Sequence, residues 1–304
     1  MTRKIVVSGG TGFVGRFIVE RLLADGHAVR VLGRTAPPDG FFTGPVEFVA
    51  ASLEPTAIGP NLFADAGAFV HAAFDHIPGK YRGGEGSDPA GFRRLNIEGS
   101  AAMFDAARVA GVERVVFLSS RAVYGTQAAG AVLMEATEPR PDTLYGEVKL
   151  EAERRLLAMA GAGFAPTVLR VTGVYGPAGP GRAHKWQQLF ADFLDGQPIA
   201  PRVATEVHGQ DVASAASLML AQEPPVVSRQ VYNASDIVVD LHDLLGIVAR
   251  VAGASALPPE RADAAQLNVM STARLKRLGW RPGGVALLER SVAELVRMMP
   301  VRPA

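Results

Sequence analysis

Short runs of β-branched and apolar residues alternate along this chain with longer stretches in which apolar positions recur every three or four residues. The first pattern predicts strands near Ile5–Ser8, Ala28–Leu32, Val46–Val49, Ala68–His71, Arg114–Ser119, Thr167–Val171 and Gln230–Asn233. The second predicts helices near Gly12–Asp25, Pro89–Ala110 and Thr143–Ala160, the first with a one-sided stripe of Phe13, Phe17, Val19, Leu22 and Leu23. Strands that alternate with helices imply an α/β fold, a Rossmann-type doubly wound parallel sheet of about seven strands. The regularity fades after Val171, where GVYGPAGPGR (173–182) reads as a loop or domain edge. Further helices are expected around Lys185–Asp195 and Val212–Gln222, with a helical set from Leu241 onward. The expected organisation is a dinucleotide-binding domain from 1–172 and 205–240, with a smaller, discontinuous substrate lobe from 173–204 and 241–304. The glycine-rich segment Asp75–Gly91 reads as a solvated loop in which Lys80 and Arg82 could touch phosphate.

Composition narrows the chemistry. The chain has 304 residues, 48% hydrophobic and 20% charged, as expected of a globular protein. A net charge of +1 gives no global field for nucleic acid or an anionic membrane, so the expected partner is a small molecule. The absence of cysteine excludes disulfides, thiolate catalysis and cysteine-ligated metals. The six histidines form no HExxH pattern, and no metal site is expected. The first residues lack a signal-peptide layout, and no run reaches the roughly 18 apolar residues a membrane span needs. A cytoplasmic enzyme is the expectation.

SGGTGFVG (8–15) lies between the first strand and the first helix and spaces Gly9, Gly12 and Gly15 three apart. Such glycines permit a tight turn, close approach of a pyrophosphate to backbone and close helix–strand packing. The helix N-terminus adds unpaired N–H groups and the positive end of its dipole. The second strand ends in Gly33-Arg34 instead of an acid that would accept from ribose hydroxyls. That points to NAD(P) with a leaning to NADP, although Arg34 could instead stack on adenine or sit in solvent.

Tyr145 and Lys149 stand four apart at the start of a predicted helix, so both can face one site. An ammonium beside a phenol favours phenolate, which turns a group of ordinary pKa near 10 into a usable acid/base. FLSSRAVYG (117–125) ends a strand upstream and offers Ser119 and Ser120, whose hydroxyls could bind the same substrate oxygen.

Taken together, GGTGFVG (9–15), HAA (71–73), NIEGS (96–100), FLSSRAVYG (117–125), YGEVK (145–149), LRVTGVYGP (169–177), HGQDVA (208–213) and VYNAS (231–235) resemble an extended short-chain dehydrogenase/reductase. The similarity is to the NAD-dependent epimerase/dehydratase family typified by UDP-galactose 4-epimerase. The resemblance implies Ser120, Tyr145 and Lys149 as catalytic residues, with Lys149 also reaching the nicotinamide ribose. It implies Gly9, Gly12, Phe13, Val14, Gly15, Arg34 and Ala72 as cofactor contacts, and a homodimer through the helices at Pro89–Ala110 and Thr143–Ala160. Asn96, His208 and Asp211 are expected to be structural.

Departures from the family pattern narrow the activity. Arg121-Ala122 stand where 4,6-dehydratases carry Asp-Glu, which disfavours water elimination. Gly173 replaces an Asn, and Ala204 an Arg, that contact the substrate diphosphate in many members. Arg182, Lys185 or Arg202 could substitute. The leading expectation is an NAD(P)-dependent epimerase or oxidoreductase acting on a carbohydrate-like or sugar-nucleotide substrate. The alternatives are an NADPH-dependent reductase of a smaller ketone or aldehyde and a non-catalytic dinucleotide-binding sensor.

Overall fold

The computed structural model describes residues 4–77 and 84–299. In chain order the elements are β1 (Lys4–Ser8), α1 (Phe13–Ala24), β2 (Val29–Gly33), β3 (Glu47–Ala50), β4 (Ala66–His71), α2 (Pro89–Arg93), α3 (Gly99–Val109), β5 (Arg114–Ser120) and α4 (Leu144–Ala158). They continue with β6 (Ala165–Val171), β7 (Gly173–Tyr175), α5 (Gln187–Leu194), β8 (Val203–His208), α6 (Gly209–Ala221), α7 (Pro224–Val227), β9 (Gln230–Ala234), β10 (Ile237–Asp240), α8 (Leu241–Ala252), α9 (Ala273–Arg277) and α10 (Gly284–Arg297). Lys80 and Arg82 lie outside the described residues.

All seven expected strands form one sheet in the order β3-β2-β1-β4-β5-β6-β9, and every neighbouring pair is parallel. Their near-continuous apolar runs are required because both faces are covered. Ile5, Val7, Val31, Val70 and Leu169 pack against Ile18 and Leu22 of α1 and Val212 and Met219 of α6. The alternate residues Val6, Leu32, Phe69, Val115 and Val168 face Met103 and Phe104 of α3 and Leu156 of α4. Leu275 and Trp280, far along the chain, return to the first of these layers.

The helix expected over Pro89–Ala110 is interrupted by a π-helical turn at Arg94–Glu98. Asn96 within it accepts from Asp75 N at 2.7 Å and donates to the Asp75 and Phe92 carbonyls, tying the helix to the loop after β4. Three short strands not foreseen make a second sheet in the order β10-β8-β7, with β10 and β8 antiparallel. Its core joins Tyr175 to Trp186, Phe190, Leu244, Val248, Leu288 and Val292. GVYGP, read as loop, thus begins with a strand, because Gly173, Val174 and Tyr175 pair in register with Glu206, Val207 and His208.

The two cores are joined by carboxylates at the start of α10. Asp211 accepts from Gly283 N at 3.1 Å and Asp236 from Gly284 N at 2.8 Å, while the Trp280 indole donates to the Asp211 carbonyl at 2.9 Å. Burial, aided by Asp236, pushes the Asp211 carboxyl up to about 6 despite the Gly283 N–H. Its proton therefore binds more tightly in the folded protein than in the unfolded chain, where the carboxyl has its ordinary value of 3.8. The associated stability is fully present below that value and is lost as pH rises from about 4 to about 6. Asp211→Asn keeps an acceptor and removes the titration. Urea unfolding across this range should show the wild type losing on the order of 2 kcal/mol relative to the variant; parallel pH profiles would disprove the assignment.

Candidate active site

Glycines dictate the local path after β1. Gly9 adopts φ of +69°, and Gly12 N donates to the Gly9 carbonyl at 2.8 Å. A Cβ on Gly9 would stand 2.7 Å from the Ala73 backbone, and one on Gly15 2.1 Å from the Gly9 carbonyl. Side chains are thus excluded on both sides of the turn, leaving a bare backbone cradle. Gly12, as N-cap of α1, has no side chain to occupy the first-turn N–H groups, which include those of Phe13 and Val14. Ala72 closes the cradle from β4, its N–H bonded to the Ser8 carbonyl at 3.1 Å. This is a fit for a pyrophosphate.

Behind Ala72 sits His71, fully buried, between the hydroxyls of Ser8 at 2.6 Å and Ser100 at 2.9 Å. Burial, reinforced by the Lys149 cation, lowers its pKa to about 3, so it is neutral and structural. Arg34, at the end of β2, pairs with Asp75 at 3.0 Å, and its side chain is 70% exposed. Arg182, from the stretch after β7, crosses to the Thr11 carbonyl and stacks 4.9 Å above Phe41.

The second half of the site forms where α4 meets the end of β5. Thr143 caps α4 by accepting from Gly146 N at 3.1 Å. A Cβ on Gly146 would lie 2.5 Å from the Ala122 carbonyl, so this glycine lets the first turn of α4 rest on the turn that follows Ser120. Ser120 Oγ accepts from Ala122 N at 3.1 Å, which leaves its O–H to donate elsewhere. Three residues on from Gly146, the Lys149 ammonium reaches back to the Leu118 carbonyl at 2.8 Å. Ser120, Tyr145 and Lys149 are thereby gathered at one end of the sheet, beside the glycine cradle at the end of β1.

Lys149 is 5% exposed and stands 4.5 Å from the Phe74 ring and 4.8 Å from the Phe117 ring. Burial lowers its ammonium to about 7, partly opposed by Glu153 one turn away. The Phe74 ring also meets Tyr145 edge-on at 5.0 Å, so one ring contacts both the phenol ring and the ammonium. Phe74, Glu153 and the Leu118 carbonyl were not foreseen. The first follows directly on HAA, and the second lies one helical turn beyond Lys149.

Other expected residues lie to the side. Arg121 donates to the Asn268 carbonyl at 3.1 Å and is held by the C-terminal segment. His208 is wedged between Phe17 of α1 and Tyr175 of β7, and burial lowers its pKa to about 4. At Gly173 the space for a side chain is taken by the Glu206 carboxylate and the Lys185 ammonium, which are bonded to one another. Among the described residues no cluster of three or more potential ligands could hold a metal, and no helix is long and apolar enough to cross a membrane.

A parallel nucleotide-type sheet carrying this serine, tyrosine and lysine defines an extended short-chain dehydrogenase/reductase. The chain belongs to the NAD dependent epimerase/dehydratase family, whose model matches residues 5–235. It is 27% identical to the dTDP-L-rhamnose 4-epimerase of Burkholderia thailandensis, over 96% of this chain and 94% of that protein. It is also 27% identical to the UDP-glucose 4-epimerase of Corynebacterium glutamicum, over 92% and 91%. Among solved structures, the UDP-glucose 4-epimerase of Thermus thermophilus in complex with NAD superposes with a TM-score of 0.78 at 28% identity, over 98% of this chain and all of that one.

Gly15→Ala should weaken NAD and NADP binding at least roughly tenfold, about 1.4 kcal/mol, in isothermal titration. An unchanged far-UV spectrum would show that the fold survives. Undiminished affinity would mean that the dinucleotide binds elsewhere.

Proposed function

We propose that this chain interconverts an alcohol and a ketone on a carbohydrate-like substrate, as an NAD(P)-dependent epimerase or oxidoreductase in which Tyr145 moves the proton. The observation that carries this reading is the gathering of Ser120, Tyr145 and Lys149 where Gly146 seats α4 against the end of β5. A dinucleotide would be held by Gly9, Gly12, Phe13, Val14, Gly15 and Ala72 at its pyrophosphate, by Arg34 toward its adenosine and by Lys149 at its ribose. When bound, a nicotinamide supplies the acceptor or donor of hydride.

The remaining chemistry belongs to the chain. Tyr145 exchanges the proton of the reacting hydroxyl. Ser120, already accepting from Ala122 N, donates its own proton to the same substrate oxygen and fixes its position. Lys149 is balanced near neutrality, so a phenolate forming beside it draws the amine to its charged state and is stabilised in return. Phe74 and Phe117 exclude water from that exchange.

Arg121 and Ala122 bring no carboxylates to the site, which disfavours dehydration. The absence of an acid at the end of β2, with Arg34 in its place, favours NADP over NAD. Arg34's exposed pairing with Asp75 is weak enough to yield to a phosphate. The sequence matches to 4-epimerases favour epimerisation, for which the dinucleotide would stay bound through turnover.

Tyr145→Phe should lower kcat by roughly 10²- to 10⁴-fold while leaving dinucleotide affinity intact; unchanged turnover would sink the mechanism. Mass spectrometry of denatured, freshly purified protein separates the two reaction types. Stoichiometric release of dinucleotide is expected of an epimerase, whereas an empty protein that binds NADPH on addition is a reductase or dehydrogenase.

A further inference from the structure

We infer that Arg182 is a dinucleotide ligand, carried across from the segment after β7 to place a guanidinium on the pyrophosphate at the glycine turn. The inference rests on the reading above that a dinucleotide lies in that cradle.

The path of the chain delivers this side chain. After β7, the stretch from Gly176 to Arg182 runs back along the first turns of α1 toward its N-terminus. A Cβ on Gly176 would stand 2.9 Å from Phe17 Cζ, and one on Gly179 would stand 3.0 Å from Arg16 Cδ. The stretch therefore lies flush on the helix. It ends in a turn that Arg182 N closes on the Gly179 carbonyl at 3.3 Å, with Arg182 exposed at its end. From there the guanidinium donates to the Thr11 carbonyl and lies 4.9 Å over the buried Phe41 ring. A buried ring and a backbone carbonyl thus hold the planar fork in one place.

What that place lacks is negative charge. Thr11 sits inside the turn between Gly9 and Gly12, and two residues of chain, at most roughly 7 Å, separate it from Phe13. Residues 8–15 carry no cationic side chain, and a helix N-terminus offers only about half a charge, well short of a pyrophosphate's. Among the described residues, Arg182 is the one side-chain cation bonded to this turn, and no carboxylate pairs with it. Its cationic neighbours are engaged elsewhere: Arg16 with Glu20 at 3.7 Å, Arg34 with Asp75 at 3.0 Å, and Lys185 with Glu206. Asp39, the acid nearest Phe41 in sequence, is exposed and forms no ion pair with Arg182. Thr11 occupies one N–H of the fork, and the others stay open for phosphate oxygens.

The turn also sets Arg182 apart from the adenosine end. Thr11 Oγ1 lies 3.3 Å from the position of a Cβ on Gly33, so the Thr11 side chain faces the end of β2 while its carbonyl carries Arg182. The added charge accordingly falls on the phosphates that NAD and NADP share, and not on the ribose phosphate that distinguishes them.

Isothermal titration of the full chain with NAD and with NADP tests this. Arg182→Met should weaken both by at least roughly tenfold, and by factors that agree within about twofold. Added salt should weaken binding to the wild type more than to the variant, a difference that a merely structural arginine would not produce. Undiminished affinity in Arg182→Met would overturn the inference, and so would a loss confined to NADP. A wild type whose NAD affinity does not respond to salt would overturn it without any variant needing to fold. Undiminished binding in Gly15→Ala would instead remove the dinucleotide from the cradle and defeat the reading beneath this one.

Discussion

The arrangement of this molecule turns on one buried cation. An ammonium removed from water is tolerable only if its surroundings replace the lost hydration. For Lys149 they are the Leu118 carbonyl, two aromatic faces and a carboxylate one turn along α4. Each of these partners is itself constrained. Glu153 is held by two nitrogens of Arg170 on β6, and the Arg170 guanidinium lies 4.8 Å over the Tyr124 ring. The Tyr124 hydroxyl donates to Asn233 on β9 at 2.7 Å, and Asn233 donates to the Leu133 and Ser271 carbonyls. A continuous polar chain therefore runs from the helix bearing Tyr145 to the far edge of the sheet and the C-terminal segment. The helix that carries Tyr145 and Lys149 is thus positioned by the interior of the large domain and not by a surface loop.

The ion pairs divide by burial into different jobs. Glu153–Arg170, at 2% and 5% exposure, cannot exchange partners with water, so it fixes where α4 lies against β6. Arg34–Asp75 stands in solvent, where such a pair contributes little and can give way to an incoming anion. Lys185–Glu206 falls between these, with one member enclosed and the other half open.

Much of this was legible in the residues. The seven strands of the large sheet could be read from β-branched runs because a parallel sheet covered on both faces needs continuous apolar sequence. The glycine turn, and the placing of Tyr145 and Lys149 on one helix that rests on the turn after Ser120, were legible because they depend on residue types at short spacing. The second sheet was not, since strands such as Gly173–Tyr175 are too short to show a period and one of them opens a glycine- and proline-rich stretch. Nor were the partners of Lys149. Phe74, Leu118 and Glu153 come from three elements, and only the folded chain reveals that one cation needs all of them. The π-turn at Asn96 was hidden for a similar reason, because its bonds to Asp75 cross between elements.

Three glycines without room for a side chain show how far short-range spacing can be read. At Gly15 the excluded Cβ would strike the Gly9 carbonyl, so the glycine exists to keep backbone close to backbone and leave a cradle for a ligand. At Gly146 it would strike the Ala122 carbonyl, and the glycine serves to dock a helix. At Gly173 the obstruction is neither backbone nor helix but a charged pair from two other segments. The first two positions follow from the fold and the shared chemistry, so a sequence pattern captures them. The third depends on what residues 185 and 206 are, on segments farther along the chain, and no short-range spacing reveals that.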